Sequence, residues 1–213
     1  MSMFSPDSKF MRAMSRIADL IILNFIYVLT CIPILTIGAA NTALYTVAFK
    51  IGTKKENGII KEYFNAFKDN FSQSTKIWLV YLLIGVTAFF NICLFYVMQG
   101  SLHYLFIVFM IIFALLICMG SYTFPLLSQF NNSSKQVMKN GLILSFAYLP
   151  RTIAMVILNI LPFVLLSVNI LTFFYSGFIW IAIYFSAIAY LNSHIIRKVF
   201  APYMPKDILK EDE

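Results

Sequence analysis

The chain has 213 residues, of which 61% are hydrophobic and only 12% are charged. An ordinary soluble domain is roughly 45–50% apolar and about 25% charged, so this composition excludes a disordered chain, a secreted disulfide scaffold and most soluble folds. The net charge of +7 would suit either nucleic acid or an anionic membrane surface, and the hydrophobicity decides for the membrane. The composition therefore predicts an integral membrane protein that binds no nucleic acid.

The N-terminal part predicts a first membrane segment at 17–32 and a second at 34–49. Residues 20–49 carry no charge, and Pro33 and Gly38 interrupt this run near its middle. The run is too long for a signal-peptide core and lacks a small-residue cleavage site, so we expect it to remain as an anchor. The second segment is at the short end for a full span, which leaves open whether it crosses, re-enters or lies in the interface.

A stretch of mixed basic and apolar character, 59–76, predicts an interfacial helix. Its aromatic residues fall on one helical face, and most of its charged and amide residues fall on the other. Similar stretches at 9–19 and 134–149 precede the other two predicted hairpins. The pattern therefore indicates three hairpins, each preceded by an amphipathic stretch.

Four longer apolar segments predict the second and third hairpins. A run of 22 residues at ~1.5 Å per residue reaches roughly 33 Å, which is enough to cross a bilayer. Short polar turns at Gln99–Ser101 and Tyr175–Gly177 separate the partners of each pair. The segments are 77–98, 104–124, 152–173 and 178–196.

The predicted fold class is all-α: a polytopic membrane helix bundle in one domain, with about six membrane-embedded segments in three hairpins and interfacial helices between them. Five full spans are the alternative. Six segments place all 16 Lys and Arg residues on one side, and the three outer turns carry none. Five spans would separate Lys9, Arg12 and Arg16 from all the others. Because positive loops stay in the cytoplasm, we favour six segments with cytoplasmic termini.

Several sequence blocks resemble the YesL-like family of bacterial integral membrane proteins, a domain of unknown function. They are Ser15–Leu20, Leu23-Asn24, Pro33–Tyr45, Phe64–Phe71 followed by Trp78, and Ala189–Ser193 before Arg197 and Phe200. The resemblance covers nearly the whole chain and implies a multi-pass protein of the bacterial plasma membrane. It brings no catalytic residues. Such proteins are often encoded beside carbohydrate transporters and polysaccharide-degradation enzymes in Gram-positive bacteria, so the resemblance implies a carbohydrate context.

Asp19 is the one carboxylate near the apolar core. A carboxylate at the centre of a membrane helix costs about 2.5–3.5 kcal/mol on insertion scales, so an acid there suggests a function. Asp19, however, lies at the cytoplasmic end of the first segment, and Arg16 is three residues earlier on the same helical face. We therefore expect a structural ion pair, with an ion or proton site and contact with a partner as alternatives.

Other polar residues in or near the membrane segments are also candidates. Arg151 follows Pro150, and we expect its side chain to reach cytoplasmic headgroups, with an anion or phospholipid-headgroup site as the alternative. Asn24, Asn41 and Asn192 lie inside the segments, where asparagine hydrogen bonds hold helices together. A polar path for a neutral sugar is the alternative for these asparagines, because carbohydrate sites favour Asn, Tyr and Trp.

The sequence offers little for catalysis. No carboxylate lies between Asp69 and Asp207, which excludes paired-carboxylate chemistry and an acidic metal cage in the body of the chain. The three cysteines lie in apolar runs without CxxC spacing, and the two histidines are far apart. We therefore expect no metal, no cofactor and no enzymatic activity.

We expect a non-catalytic membrane protein that assists or regulates a transport or signalling system, with carbohydrate uptake as the context that the resemblance implies. Its expected partners are the lipid bilayer and a transporter complex or membrane sensor. The alternative is a transport protein with its own passive or partner-driven substrate path. The short loops offer no acid–base pair or cofactor motif for an enzyme.

The charge distribution generates a prediction of topology. Both termini and the loops Lys50–Lys76 and Gln129–Arg151 should be cytoplasmic, because this arrangement places every Lys and Arg on one side. Reporter fusions after Glu213 and near residues 5 and 55 measure the side directly. An external N-terminus combined with an internal residue 55 would establish five spans instead.

Overall fold

Helices make up nearly all of the described chain. The computed structural model describes residues 9–51, 58–98, 100–166, 177–178 and 180–203. Within these ranges the α-helices are α1 (Lys9–Cys31), α2 (Ile37–Lys50), α3 (Ile59–Val97), α4 (Leu105–Gln129), α5 (Ser134–Ala147), α6 (Leu149–Leu166) and α7 (Phe185–Phe200). A π-helical turn, Trp180–Tyr184, runs directly into α7, and the described ranges contain no strand. The predicted all-α class is confirmed.

Several of these helices are long and apolar enough to cross a membrane. Three described stretches meet this criterion, namely Phe10–Cys31, Ile59–Val97 and Ser101–Gln129. A fourth span results if α5 and α6, which meet at an angle of 104°, are taken together. These lengths fit a membrane-embedded bundle, while the predicted number of six segments goes beyond the three to four spans found here.

The first hairpin turns where the sequence predicted it. α1 ends at Cys31, and a 3₁₀ turn at Ile34–Thr36 leads into α2. The Thr36 hydroxyl donates a hydrogen bond to the Thr30 carbonyl at 2.6 Å, which ties the turn to the end of α1. Trp78 Nε1 donates to the Ile34 carbonyl at 2.7 Å, so the turn is fixed against the middle of α3.

α3 differs from the sequence prediction. We predicted an interfacial helix at 59–76 and a separate crossing at 77–98, but the structure joins both in one 39-residue helix that is about 58 Å long. The physical reason is that no Gly or Pro interrupts the chain between Ile59 and Ile84. The predicted aromatic face is also divided, since Tyr63 is fully buried while Phe64 is exposed.

α2 packs along the N-terminal half of α3. Gly38 lies so close to α3 that an added Cβ would stand 2.5 Å from the Ser74 carbonyl oxygen and 2.6 Å from the Trp78 Cβ. One turn further along, the hydroxyls of Thr42 and Ser74 are 2.9 Å apart and both residues are fully buried. Lys50, at the end of α2, forms a salt bridge with Glu62. This stretch of α3 is therefore part of the packed body.

The second hairpin extends beyond this body. Gly100, with φ 92°, makes the turn between α3 and α4, and the rings of Phe95 and Phe109 stack at 5.7 Å. Val97 near the tip is 81% exposed. We predicted that the return helix ends near Pro125, but α4 continues to Gln129; a proline is tolerated inside a membrane helix when neighbouring groups compensate for its missing N–H.

The third hairpin is described in part. The predicted boundary between the amphipathic stretch 134–149 and the segment 152–173 is found beside Pro150, since α5 ends at Ala147 and α6 begins at Leu149. Residues 167–173 of the predicted segment 152–173, and most of the predicted turn, lie outside the described residues. The last predicted segment, 178–196, corresponds to the π-helical turn and α7, which continues to Phe200.

The close approach of α2 and α3 generates a stability prediction. Gly38→Ala should lower the melting temperature of the detergent-solubilised protein, because its Cβ would overlap the α3 backbone and overpacking costs about 1–3 kcal/mol. Gly85→Ala is the matched control, since nothing lies within 4 Å of an added Cβ there. Alanine favours a helix over glycine by roughly 0.5–1 kcal/mol, so the control should melt at the same temperature or higher.

Candidate functional site

Six helices line a half-open cavity of about 360 Å³, here called the central cavity. Every α-helix except α5 contributes to its wall. The polar and aromatic side chains that line it are Tyr27, Asn41, Tyr45, Trp78, Ser121, Phe124, Asn159, Tyr184 and Phe185. The described lining residues include no acid, base or histidine. The cavity therefore combines aromatic surface with uncharged hydrogen-bonding groups.

Two other hollows lie nearer the ends of the helices. A polar cleft of about 810 Å³ includes Lys50, Glu62 and Asp69. A more apolar hollow of about 390 Å³ lies beside Phe200 and Tyr203. The central cavity is the stronger candidate site, because ligand sites of helical bundles lie between the helices and carry a few convergent polar groups.

Asn41 and Asn192, both predicted as polar membrane residues, belong to this site. The Tyr27 hydroxyl donates to Asn41 Oδ1 at 3.2 Å, which joins α1 to α2. Asn192 is fully buried behind the wall, and its Nδ2 donates to the Tyr45 hydroxyl at 3.3 Å and to Asn159 Oδ1 at 3.4 Å. One amide thus positions two lining side chains from α2 and α6.

The carbonyl oxygen of Asn192 has no hydrogen-bond partner among the described residues. Such buried orphan acceptors are uncommon, and each one indicates an unusual local role. The Asn192 amide cannot move without releasing Tyr45 and Asn159. Its position is therefore determined by the groups that line the cavity.

Asn24 has a different role from the other asparagines. It is fully buried, and its Oδ1 accepts a hydrogen bond from the Ser186 backbone N–H at 3.0 Å. The Ser186 hydroxyl donates back to the Leu20 carbonyl at 2.7 Å. This exchange joins α1 to the point where the π-helical turn becomes α7. Asn24 therefore replaces a backbone acceptor at an irregular helix start.

Aromatic contacts fix the shape of the cavity. The Tyr184 hydroxyl donates to the Leu158 carbonyl at 2.6 Å, which holds the π-helical turn against α6. Tyr27 and Phe185 pack with ring centroids 5.3 Å apart. Trp78 is held through its indole N–H by Ile34. Because these rings are anchored at their polar ends or by neighbouring rings, the wall is preformed.

The predicted ion pair between Arg16 and Asp19 is not formed. Arg16 is exposed and Asp19 is half-buried, and the salt bridge found between described residues joins Lys50 to Glu62. Sequence spacing put both side chains on one helical face, but spacing does not bring the charged ends together. Neither residue lines the cavity.

Arg151 lies in the first turn of α6 and does not line the cavity either. Its Nη1 donates to the Lys198 carbonyl at 3.3 Å, and its guanidinium lies 5.2 Å from the centroid of the Tyr148 ring. Tyr148 also forms a hydrogen bond with Tyr203, and this bond raises the pKa of Tyr203 above its usual value. Arg151 therefore joins the start of α6 to the last turn of α7, where carbonyls without helical partners attract a cation.

Two polar contacts were not predicted from the sequence, that of Arg197 with the Phe49 carbonyl and the Lys50–Glu62 pair. The Arg197 guanidinium donates to the Phe49 carbonyl in the last turn of α2, and it lies 6.0 Å from the Phe49 ring centroid. Lys50 and Glu62 flank the loop between α2 and α3, so their opposite charges were a usable signal. Arg197 gave no such signal, because its acceptor lies 148 positions away.

The fold and cavity define an all-helical protein whose long apolar helices are compatible with a membrane, with a site whose described lining is uncharged. The family model described as "Protein of unknown function, DUF624" matches residues 20–92. A Bacillus subtilis (strain 168) protein described as "Uncharacterized protein YteU" is 31% identical over 160 residues, which is 75% of this chain and 72% of that protein. The chain belongs to this family of unknown function, DUF624. No solved structure matches it.

The contact between Asn24 and Ser186 generates a second stability prediction. Asn24→Leu keeps the side-chain size but leaves the buried Ser186 N–H without this acceptor, which costs about 1–3 kcal/mol. The melting temperature should fall. Asn91→Leu is the control, because Asn91 bonds the Thr87 carbonyl within its own helix and should change stability little. Equal melting temperatures would show that the Asn24 bond is dispensable.

Proposed function

We propose that this protein is a non-catalytic, multi-pass component of the bacterial plasma membrane that assists or regulates a transport or signalling system. Its termini are cytoplasmic, and its partners are the bilayer and a transporter complex or membrane sensor. The observation that carries the proposal is the uncharged cavity at the meeting point of six helices. A site of this kind can bind a neutral solute, but it offers no group that would drive the solute across the membrane.

The positions of the acids support this reading. The carboxylates among the described residues are Asp19, Glu62 and Asp69, and none of them lines the cavity. Carriers that use a proton or sodium gradient place ionisable residues within the membrane on the substrate or ion path. The described lining also holds neither a carboxylate nor a histidine for acid–base catalysis. We therefore propose that any energised step belongs to a partner.

The exposed half of the second hairpin supports embedding and partner contact. Leu83 and Phe90 on α3 are 71% and 68% exposed, and the hairpin extends beyond the packed body. Apolar side chains exposed on this scale favour lipid or another membrane helix as their surroundings. The carbohydrate context and the narrower YesL-like grouping belong to the same proposal and rest on the sequence resemblance.

A transport protein with its own passive path is the second candidate. The cavity itself favours it, because an uncharged hollow between helices, with a few hydrogen-bonding groups on a mainly apolar wall, could form part of a facilitated path for a neutral solute. The two candidates differ in whether the isolated protein moves a solute down its gradient.

Affinity purification in mild detergent from the native membrane tests the accessory role. We expect a transporter subunit or membrane sensor to co-purify in stoichiometric amount, because the proposed role requires a partner that supplies the energy. The protein isolated alone, with rapid sugar equilibration when reconstituted in liposomes, would favour the passive path instead.

The same liposomes test the absence of energy coupling. We expect no proton-, Na⁺- or ATP-dependent accumulation of any sugar, because the described lining of the cavity carries no ionisable carboxylate. Accumulation against a gradient would contradict the proposal, and its persistence in Asp19→Asn would also show that Asp19 is not the coupling group. Protein-free liposomes are the control for leakage.

A further inference from the structure

We propose that the central cavity binds a small, neutral, polyhydroxylated ring, such as a monosaccharide or a cyclic polyol. This inference rests on the proposal that the cavity is the functional site, and it adds the chemical class of the ligand. Two features carry it. They are the donors and acceptors that the lining leaves unused and the aromatic surface beside them.

The lining leaves donors unused. Asn41 Oδ1 accepts from Tyr27 and Asn159 Oδ1 accepts from Asn192, while the Nδ2 groups of Asn41 and Asn159 have no partner among the described residues. Both residues line the cavity from different helices. Each amide nitrogen can therefore donate to a ligand oxygen.

The lining also leaves an acceptor and a further donor unused. The Ser121 hydroxyl donates to the Ile117 carbonyl at 3.0 Å, so its oxygen lone pairs stay available in the cavity wall. The Tyr45 oxygen accepts from Asn192, which leaves the Tyr45 hydroxyl hydrogen free to donate. A ligand hydroxyl is donor and acceptor at once, so a ring with several hydroxyls matches this mixture. A ligand with acceptors alone would leave the Ser121 oxygen unmatched.

Aromatic rings complete the complementarity. Trp78 and Phe124 line the same cavity, with ring centroids 6.5 Å apart. One face of a sugar or cyclic polyol is a sheet of C–H groups that packs on such rings, while its rim carries the hydroxyls. The size also fits, since about 360 Å³ lies at the lower end of small-molecule pockets.

Charged analogues should be rejected. The described lining holds no Lys, Arg, His, Asp or Glu, so a carboxylate or an amine would be desolvated without a counter-charge. Two described arginines are engaged outside the lining, Arg151 on the Lys198 carbonyl and Arg197 on the Phe49 carbonyl. Neutrality is therefore a specificity feature of the cavity.

Trp78 provides a direct readout. The chain has two tryptophans, Trp78 and Trp180, so Trp180→Phe leaves Trp78 as the only one. This variant, in nanodiscs of phosphatidylethanolamine and phosphatidylglycerol, is titrated with D-glucose, myo-inositol, glucuronate and glucosamine at pH 7. We expect a saturable change in Trp78 fluorescence with at least one of the two neutral compounds at millimolar concentration and none with the charged pair.

Matched variants in the same background locate the ligand. Asn159→Leu and Asn41→Leu each remove one unused donor and should weaken binding about three- to tenfold. Asn91→Leu removes an amide on the outer half of α3, which bonds within its own helix, and should leave binding unchanged. Using two cavity variants on different helices keeps the test valid if one of them fails to fold.

Three results would overturn the inference. They are no saturable response to either neutral compound, an equal response to the charged analogues, and an equal effect of the Asn159 and Asn91 variants. The first would leave a cavity occupied by water or lipid alone. Co-purification of a partner is measured independently, so a chain that retains its partner but gives no Trp78 response would reject the ligand class and keep the accessory role.

Discussion

A polar group surrounded by hydrocarbon has to find its hydrogen-bond partner inside the protein, because no water is there to replace it. Hydroxyl pairs meet this requirement between the helices of this chain. Thr30 meets Tyr63 at 2.6 Å, Tyr81 meets Thr123 at 2.9 Å, and Tyr122 meets Thr152 at 3.2 Å. Each pair joins two different helices, so the positions of the polar side chains determine which helix faces fit together.

The short first hairpin and the long third helix together explain where the cavity lies. α2 has 14 residues and α3 has 39, so α2 can cover only part of α3. The turn before α2 is held at Trp78, and this residue also lines the cavity. Beyond Trp78, α3 and α4 cover each other on one side and stay exposed on the other. The chain thus has a packed body with an internal site and an apolar extension.

Charged side chains stabilise the end of the packed body that lies away from the apolar extension of α3 and α4. Arg197 bonds the last turn of α2 through the Phe49 carbonyl, Lys50 pairs with Glu62, and Arg151 bonds the last turn of α7. Arg197 and Arg151 each bind a carbonyl in the last turn of a helix, where the helix dipole favours positive charge. The described lining of the cavity carries no charged side chain, and the proposed selectivity for neutral ligands depends on keeping these cations at this end.

The composition of the chain by itself indicated the membrane class. Local backbone preference, which acts over a few residues, determined the all-α fold and the breaks at Pro33, Gly100 and Pro150. It also identified Asn24, Asn41 and Asn192 as polar residues in apolar surroundings. It could not assign their partners, since Asn24 meets Ser186 across 162 positions and Asn192 meets Tyr45 across 147. Tertiary structure alone decided that Arg16 and Asp19 stay apart and that six helices line a common cavity. These outcomes depend on which side chains meet in space, and sequence spacing along one helix does not specify that.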